Sequence, residues 1–364
     1  MAKRKGVTKV KEIDKEFLSQ KFRSTGHMFS YISDTYGKSP STPLHVFILL
    51  PIRDATVEKV RDAAQQRDVI FETKKISEKI YRVSFGVKIR RIESFLVIDD
   101  DWWMILTVGD GSRASQVLIE SFVRNHFFPV LYPAYLEPKD MIEIVSNLYS
   151  IYDFITLEEY SMASERAKFR VWLKSGEKFT TELADRLQEK NDASFTGLKV
   201  FAGSNTTDST KLKIYSKSRL CFLSGSFGDF YEFGIVPYIH RTLQNSKTYS
   251  NLERRVDDGK LKLFGVHIKG REDFEKKDIE AVKEFIQSKY STVLVHQNPV
   301  IVIQASDVRD GSSYDIYITQ SDIDVIPLSK STSGSLIELC TSIVRILPPF
   351  VEFQPKQPTE FLQT

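Results

Sequence analysis

The sequence predicts an α+β protein: two or three tandem β-α-β(3–4)-α units, with antiparallel sheets backed by helices, behind a basic N-terminal arm. Three observations carry this. Short apolar runs are bounded by Pro, Gly, Asn or Asp, which reads as strands. Longer segments between them place apolar residues at helical spacing. The order of the two kinds of segment recurs along 364 residues, a length that takes two or three domains.

Residues 1–43 read as the arm. They hold nine Lys/Arg against four acids, a net +5 in a chain whose total is only +3. One helix fits within it, over about 11–22, and Gly37, Ser39, Pro40 and Pro43 punctuate its end. The first unit is placed at 44–160. It opens with Leu44–Leu50, an apolar run between Pro43 and Pro51. Asp54 is expected to cap a helix over 55–67 that puts Val57, Val60 and Ala64 on one face. Strands follow at 69–76, 80–85, 87–97 and 102–108, then a helix from Ser112 to about 126. A further helix is expected at 137–148 and a strand at 151–156.

The second unit, at 161–257, is a degraded copy. It has a strand at 169–173, a helix after Thr180 and strands at 198–203, 211–216 and 219–224. Gly234 and Pro237 weaken the helix at 232–244. The third unit, at 258–350, restores the order. A strand at 261–268 precedes a helix over 275–289 with Ile279, Val282 and Ile286 on one face. Strands at 292–296, 300–304, 314–319 and 323–326 lead to a helix capped by Ser333 or Ser335. Residues 351–364 read as a tail. The element order over 44–127 and 261–347 resembles the repeat of the TATA-binding-protein fold. That resemblance implies curved antiparallel sheets backed by helices, and it carries no function, because none of that family's motifs is present.

Composition narrows the classes. Apolar residues at 41% and charged residues at 27% fit a globular chain. No apolar stretch reaches the ~18 residues of a membrane span, so no membrane partner is expected. Two cysteines, Cys221 and Cys340, do not make a disulfide framework. With no signal-like start, the expected address is the cytoplasm. No Walker loop, H-E-x-x-H or G-x-S-x-G is found, and no cofactor or metal is expected.

The leading candidate site is the run Lys211-Leu212-Lys213-Ile214-Tyr215-Ser216-Lys217-Ser218-Arg219. Alternation in a strand places Lys211, Lys213, Tyr215, Lys217 and Arg219 on one face. Cations with an aromatic suit a phosphate backbone and a stacked base. The same pattern also fits a solvated strand face, or a turn near 216–219 that breaks the stripe. Lys3, Arg4 and Lys5 in the arm join the candidate phosphate contacts. The stretch also resembles the phospholipase D motif, H-x-K-x4-D-x6-G-S-x-N, at Lys213, Gly225 and Ser226. Lys211, Ser218 and Gly228 stand where that motif has its histidine, acid and asparagine. The resemblance therefore implies a copy without its nucleophile.

Weaker candidates stand beside it. His267-Ile268-Lys269 is a second near match to the same motif. Gly109-Asp110-Gly111-Ser112-Arg113-Ala114 follows a strand and satisfies G-x-G-x-x-A, without the acid that a dinucleotide site needs. Asp99-Asp100-Asp101 reads as a hairpin turn or as a Mg²⁺ ligand group. Asp54 or Asp68 with Glu72 and Lys74 imitates a metal-dependent nuclease core. The aromatic clusters at 227–233 and 127–135 read as core; if exposed, they mark a protein partner. The functional expectation is a non-enzymatic subunit that binds nucleic acid, DNA or RNA, within a complex with a protein partner. The alternatives are a metal-dependent nuclease or phosphodiesterase, or a pure assembly subunit.

Overall fold

A computed structural model of the chain describes residues 16–36, 43–51, 54–66, 69–87, 90–108, 130–164, 169–191, 193–204, 209–250, 252, 254–257, 260–328, 331–348 and 351–361. Lys3, Arg4, Lys5, Asp68, the 109–114 turn and the helix expected after Ser112 lie outside them. The chain divides into two compact units. The first takes residues 1–160, 173–181 and 197–241, and the second takes 161–172, 182–196 and 242–364.

The protein is mixed α+β, with antiparallel sheets. Helix α1 (Thr25–Tyr36) precedes strand β1 (Leu44–Pro51), whose first seven residues are all buried. A strand buried on both faces has no polar alternation to show, which is why it reads as one apolar run. Helix α2 (Val57–Gln65) starts two residues later than expected. Its cap is Thr56, whose Oγ1 accepts from the Lys59 N–H at 3.2 Å, and not Asp54, which sits in the turn at φ 64°.

Strands β2 (Ile70–Lys75), β3 (Ile80–Val87), β4 (Arg90–Ile98) and β5 (Trp103–Val108) form a meander. Strand β5 returns beside β1, with Phe47 opposite Ile105 and Leu49 opposite Trp103. Val57, Val60 and Ala64 of α2 pack with those four residues, Leu96 and Phe85 in one cluster.

A short β6 (Leu131–Pro133) leads to α3 (Pro138–Asn147). Next come β7 (Phe154–Ser164), β8 (Phe169–Lys178), α4 (Thr181–Asn191), β9 (Ser194–Gly203), β10 (Ser209–Tyr215) and β11 (Arg219–Ser224). Strand β7 runs well past the strand expected at 151–156. These strands join the same sheet in the order β2-β3-β4-β5-β1-β11-β10-β9-β7-β8, with β6 also paired to β1.

The weakened helix at 232–244 is in fact part of a longer helical stretch. It opens at Phe227, passes through a π turn at Phe230–Ile235 and continues as α5 (Val236–Ser250). The wider turn lies next to Pro237, which has no N–H to give a regular helical ladder. Phe227, Phe230, Tyr132 and Tyr135 are buried, so these members of the two aromatic clusters are core.

The second unit carries a seven-stranded sheet. Its elements are β12 (Arg254–Asp257), β13 (Lys260–Lys269), α6 (Lys276–Lys289), β14 (Ser291–His296), β15 (Ile301–Ser306), β16 (Ser313–Ile318), β17 (Asp322–Pro327), α7 (Ser333–Val344) and β18 (Glu352–Phe361). Helix α7 is capped by Thr332 and by neither expected serine, Ser333 or Ser335: the Thr332 Oγ1 accepts from Ser335 N–H at 3.3 Å.

The residues expected to be a tail supply β18, which pairs with β13. The order β14-β15-β16-β17-β13 is the order of β2-β3-β4-β5-β1. This is a match of topology; the repeat itself stays an expectation. Among the described residues no helix is long and apolar enough to cross a membrane.

Candidate nucleic-acid interface

Strand β10 alternates as its sequence implies. Thr210, Leu212 and Ile214 are buried, while Lys211, Lys213 and Tyr215 are half-buried on the other face. The stripe ends there, because residues 216–218 form the turn to β11. Ser218 adopts φ 52°, and its N–H donates to the Ala134 carbonyl while its own carbonyl accepts from Ile48 N–H. Lys217 therefore sits on the turn, paired by an isolated bridge with Tyr135. Arg219 begins the next strand, opposite Phe47 of β1, and is 6% exposed.

The turn breaks the strand face but keeps the cations beside aromatic rings. The Arg219 guanidinium carbon lies 3.6 Å from the centre of the Tyr215 ring, and Lys213 Nζ lies 5.3 Å from it. Lys211 Nζ is 5.8 Å from the Phe201 ring centre, and Lys217 Nζ is 5.6 Å from that of Tyr135. All four cations of the expected stripe thus lie within the roughly 6 Å at which a ring face attracts a cation.

The register adds residues that the one-strand reading missed. Lys213 stands opposite Lys199 of β9, and Lys211 opposite Phe201. Like charges directly opposite repel, and two acids of β7 offset them. Glu159 reaches Lys199 at 2.9 Å and Lys213 at 3.8 Å; Glu158 reaches Lys211 at 2.6 Å and Lys199 at 3.4 Å.

The hydrogen bond from Lys199 holds the Glu159 carboxyl below its ordinary range, against burial. Burial also works to lower Lys199, but the Glu159 hydrogen bond and the two acids outweigh it, so that ammonium is held high. Lys213 differs. Burial pushes it down to about 8, with Glu159 opposing and Arg219 adding to the depression. Cys221, opposite Lys213 on β11, is pushed up to about 12 by burial, and so is an inert thiol.

Among these five side chains, three lysines and two glutamates sum to +1. The acids make it an ion-pair network. Glu158 and Glu159 lie in the part of β7 beyond the strand expected at 151–156, so their position beside Lys199 was not legible without the pairing order.

The other candidates separate. Gly225 and Ser226, two of the phospholipase-like matches, serve the backbone. Gly225 has φ 106°, and a Cβ there would come 2.1 Å from the Ser209 carbonyl oxygen. The Ser226 Oγ accepts from Asp229 N–H at 3.2 Å. Asp99–Asp101 form the β4–β5 hairpin turn: Asp99 N–H donates to the Trp102 carbonyl at 2.9 Å, and its carboxylate pairs with Lys79 at 2.7 Å.

Glu72 and Lys74 are exposed on strand β2, at one end of the sheet order. Among the described residues, the group of three His, Cys, Asp or Glu side chains close enough to share a metal ion is His267, Asp322 and Asp324. Neither Asp54 with Glu72 nor the Asp99–Asp101 triplet forms one.

No protein-family model matches the chain, and no curated protein matches it in sequence.

Proposed function

We propose that this protein binds nucleic acid as a non-enzymatic subunit, through the face of β9 and β10 that carries Lys199, Lys211, Lys213 and Tyr215, with Arg219 behind the ring. The observation that supports this reading is the pairing of cations with rings on one half-exposed strand face. Lys211 lies over Phe201, and Lys213 and Arg219 lie over Tyr215. Lysines follow a phosphate backbone, and a ring already in contact with a cation presents a surface on which a base can stack. The mode fits a single strand better than a duplex, because bases in a duplex already stack on one another.

The proposed binding exchanges Glu158 and Glu159 for phosphate oxygens at Lys199 and Lys211. Affinity then depends steeply on salt, since each phosphate neutralised releases counterions. The arm residues Lys3, Arg4 and Lys5, and a protein partner, remain parts of the same proposal.

Fluorescence anisotropy with labelled single- and double-stranded DNA and RNA tests it. Binding that prefers a single strand and falls with salt, with the probe intact, supports the reading. Probe loss only with Mg²⁺ favours a nuclease, and no binding to any probe at low salt sinks the proposal.

A further inference from the structure

We infer that the second unit holds a site for a divalent first-row transition cation, made by His267, Asp322 and Asp324. Strand β13 places His267 directly opposite Asp324 of β17, and Asp322 lies two residues before Asp324. Residues two apart on a strand share a face, so the imidazole and both carboxylates converge on the same side of the sheet. One ligand atom from each residue lies within 4.8 Å of the other two, and all three side chains are half-buried.

The His267 Nδ1 and Asp324 Oδ1 atoms are 2.8 Å apart. At the tetrahedral angle of a zinc site, donors 2.0–2.1 Å from the ion stand about 3.3–3.4 Å apart, so this hydrogen-bonded pair needs to open by only about half an ångström to share an ion. Both Asp322 oxygens accept hydroxyl hydrogen bonds, Oδ1 from Thr319 at 2.9 Å and Oδ2 from Ser321 at 3.0 Å. Such outer hydrogen bonds are what fix ligating carboxylates.

One nitrogen and two carboxylate donors suit Zn²⁺, Mn²⁺, Fe²⁺ or Co²⁺ better than Mg²⁺ or Ca²⁺, which take oxygen sets. Three protein ligands leave positions open for water or an anion. The cluster already attracts a cation: the Lys356 ammonium on β18 hydrogen-bonds Asp324 Oδ2. That ammonium competes with a metal for the same carboxylate, which makes Lys356 a test residue. The site is independent of the β9–β10 face, which lies in the first unit.

Equilibrium dialysis of the full chain with Zn²⁺, and visible absorption with Co²⁺, tests the inference. One ion per chain is expected. His267→Ala and Asp322→Asn should each weaken binding by about 10-fold or more. Lys356→Met should tighten it. Circular dichroism checks that the variants fold, and Asp322→Asn, which keeps the side-chain shape, decides the matter if His267→Ala does not. The inference is overturned if wild type and Lys356→Met both bind no ion, or if Asp322→Asn binds Zn²⁺ and Co²⁺ as wild type does.

Discussion

The Arg219 guanidinium lies 3.6 Å over the Tyr215 ring, across the turn that joins β10 to β11. Arg219 is buried, and its planar group covers the ring as a lysine ammonium cannot. Arg219→Lys is expected to cost about 0.5–2 kcal/mol of stability, the range for cation–ring contacts, read from urea midpoints at constant slope. Tyr215→Leu keeps apolar bulk but removes the stacking face. It should cost about 1–3 kcal/mol of single-strand affinity, and binding equal to wild type would remove Tyr215 from the interface.

Lys213 titrates where few lysines do. Its ammonium is depressed to about 8 by burial, from an ordinary 10.5. Below pH 8 both folded and unfolded chains hold this proton, so the group adds no slope to stability there. Between about 8 and 10.5 the unfolded chain keeps a proton that the folded chain has lost, and the Lys213 contribution rises with pH. Binding moves the opposite way, because the charge that meets phosphate disappears. Affinity measured at fixed salt should fall between pH 7 and 9, and Lys213→Arg, which stays charged, should flatten that fall.

Glu158 and Glu159 hold the lysines of the face in ion pairs. If phosphate takes their place, Glu158→Gln and Glu159→Gln together raise affinity at low salt. A purely structural network predicts a lower melting temperature and no gain in binding. Anisotropy and thermal melts on the same variant separate the two.

Gly225 is constrained by backbone, not by chemistry. A Cβ would meet the Ser209 carbonyl oxygen at 2.1 Å, at a φ of 106°. Gly225→Ala should destabilise the chain by roughly 1–3 kcal/mol from strain alone, and more from the overlap. A melting temperature unchanged from wild type would contradict this geometry.

Much of the fold was legible because burial leaves a pattern. Strand β1 showed as a run that is apolar apart from His45, and α6 showed through Val282 and Ile286 at helical spacing. Helix starts were less legible. Several Ser, Thr and Asp residues sit near each one, and which of them caps depends on a dihedral: Thr56 has ψ 163° and caps, whereas Asp54 has φ 64° and does not.

Pairing was legible only at a hairpin turn such as Asp99–Asp101. Lys199 faces Lys213 across consecutive strands, in a register that the alternation of one strand does not give, and His267 faces Asp324 from a strand far along the chain. The alternation of β10 was readable up to Tyr215. The break beyond it depends on Ser218, which is held by Ala134 and Ile48 from far along the chain.

The salt dependence of single-strand binding, for wild type and for a Lys199→Gln, Lys211→Gln, Lys213→Gln variant, tests the interface most directly. Three lost phosphate contacts should weaken binding and reduce the log–log salt slope by about 2. A variant that folds normally and keeps both the affinity and the slope of wild type would show that this face does not bind nucleic acid.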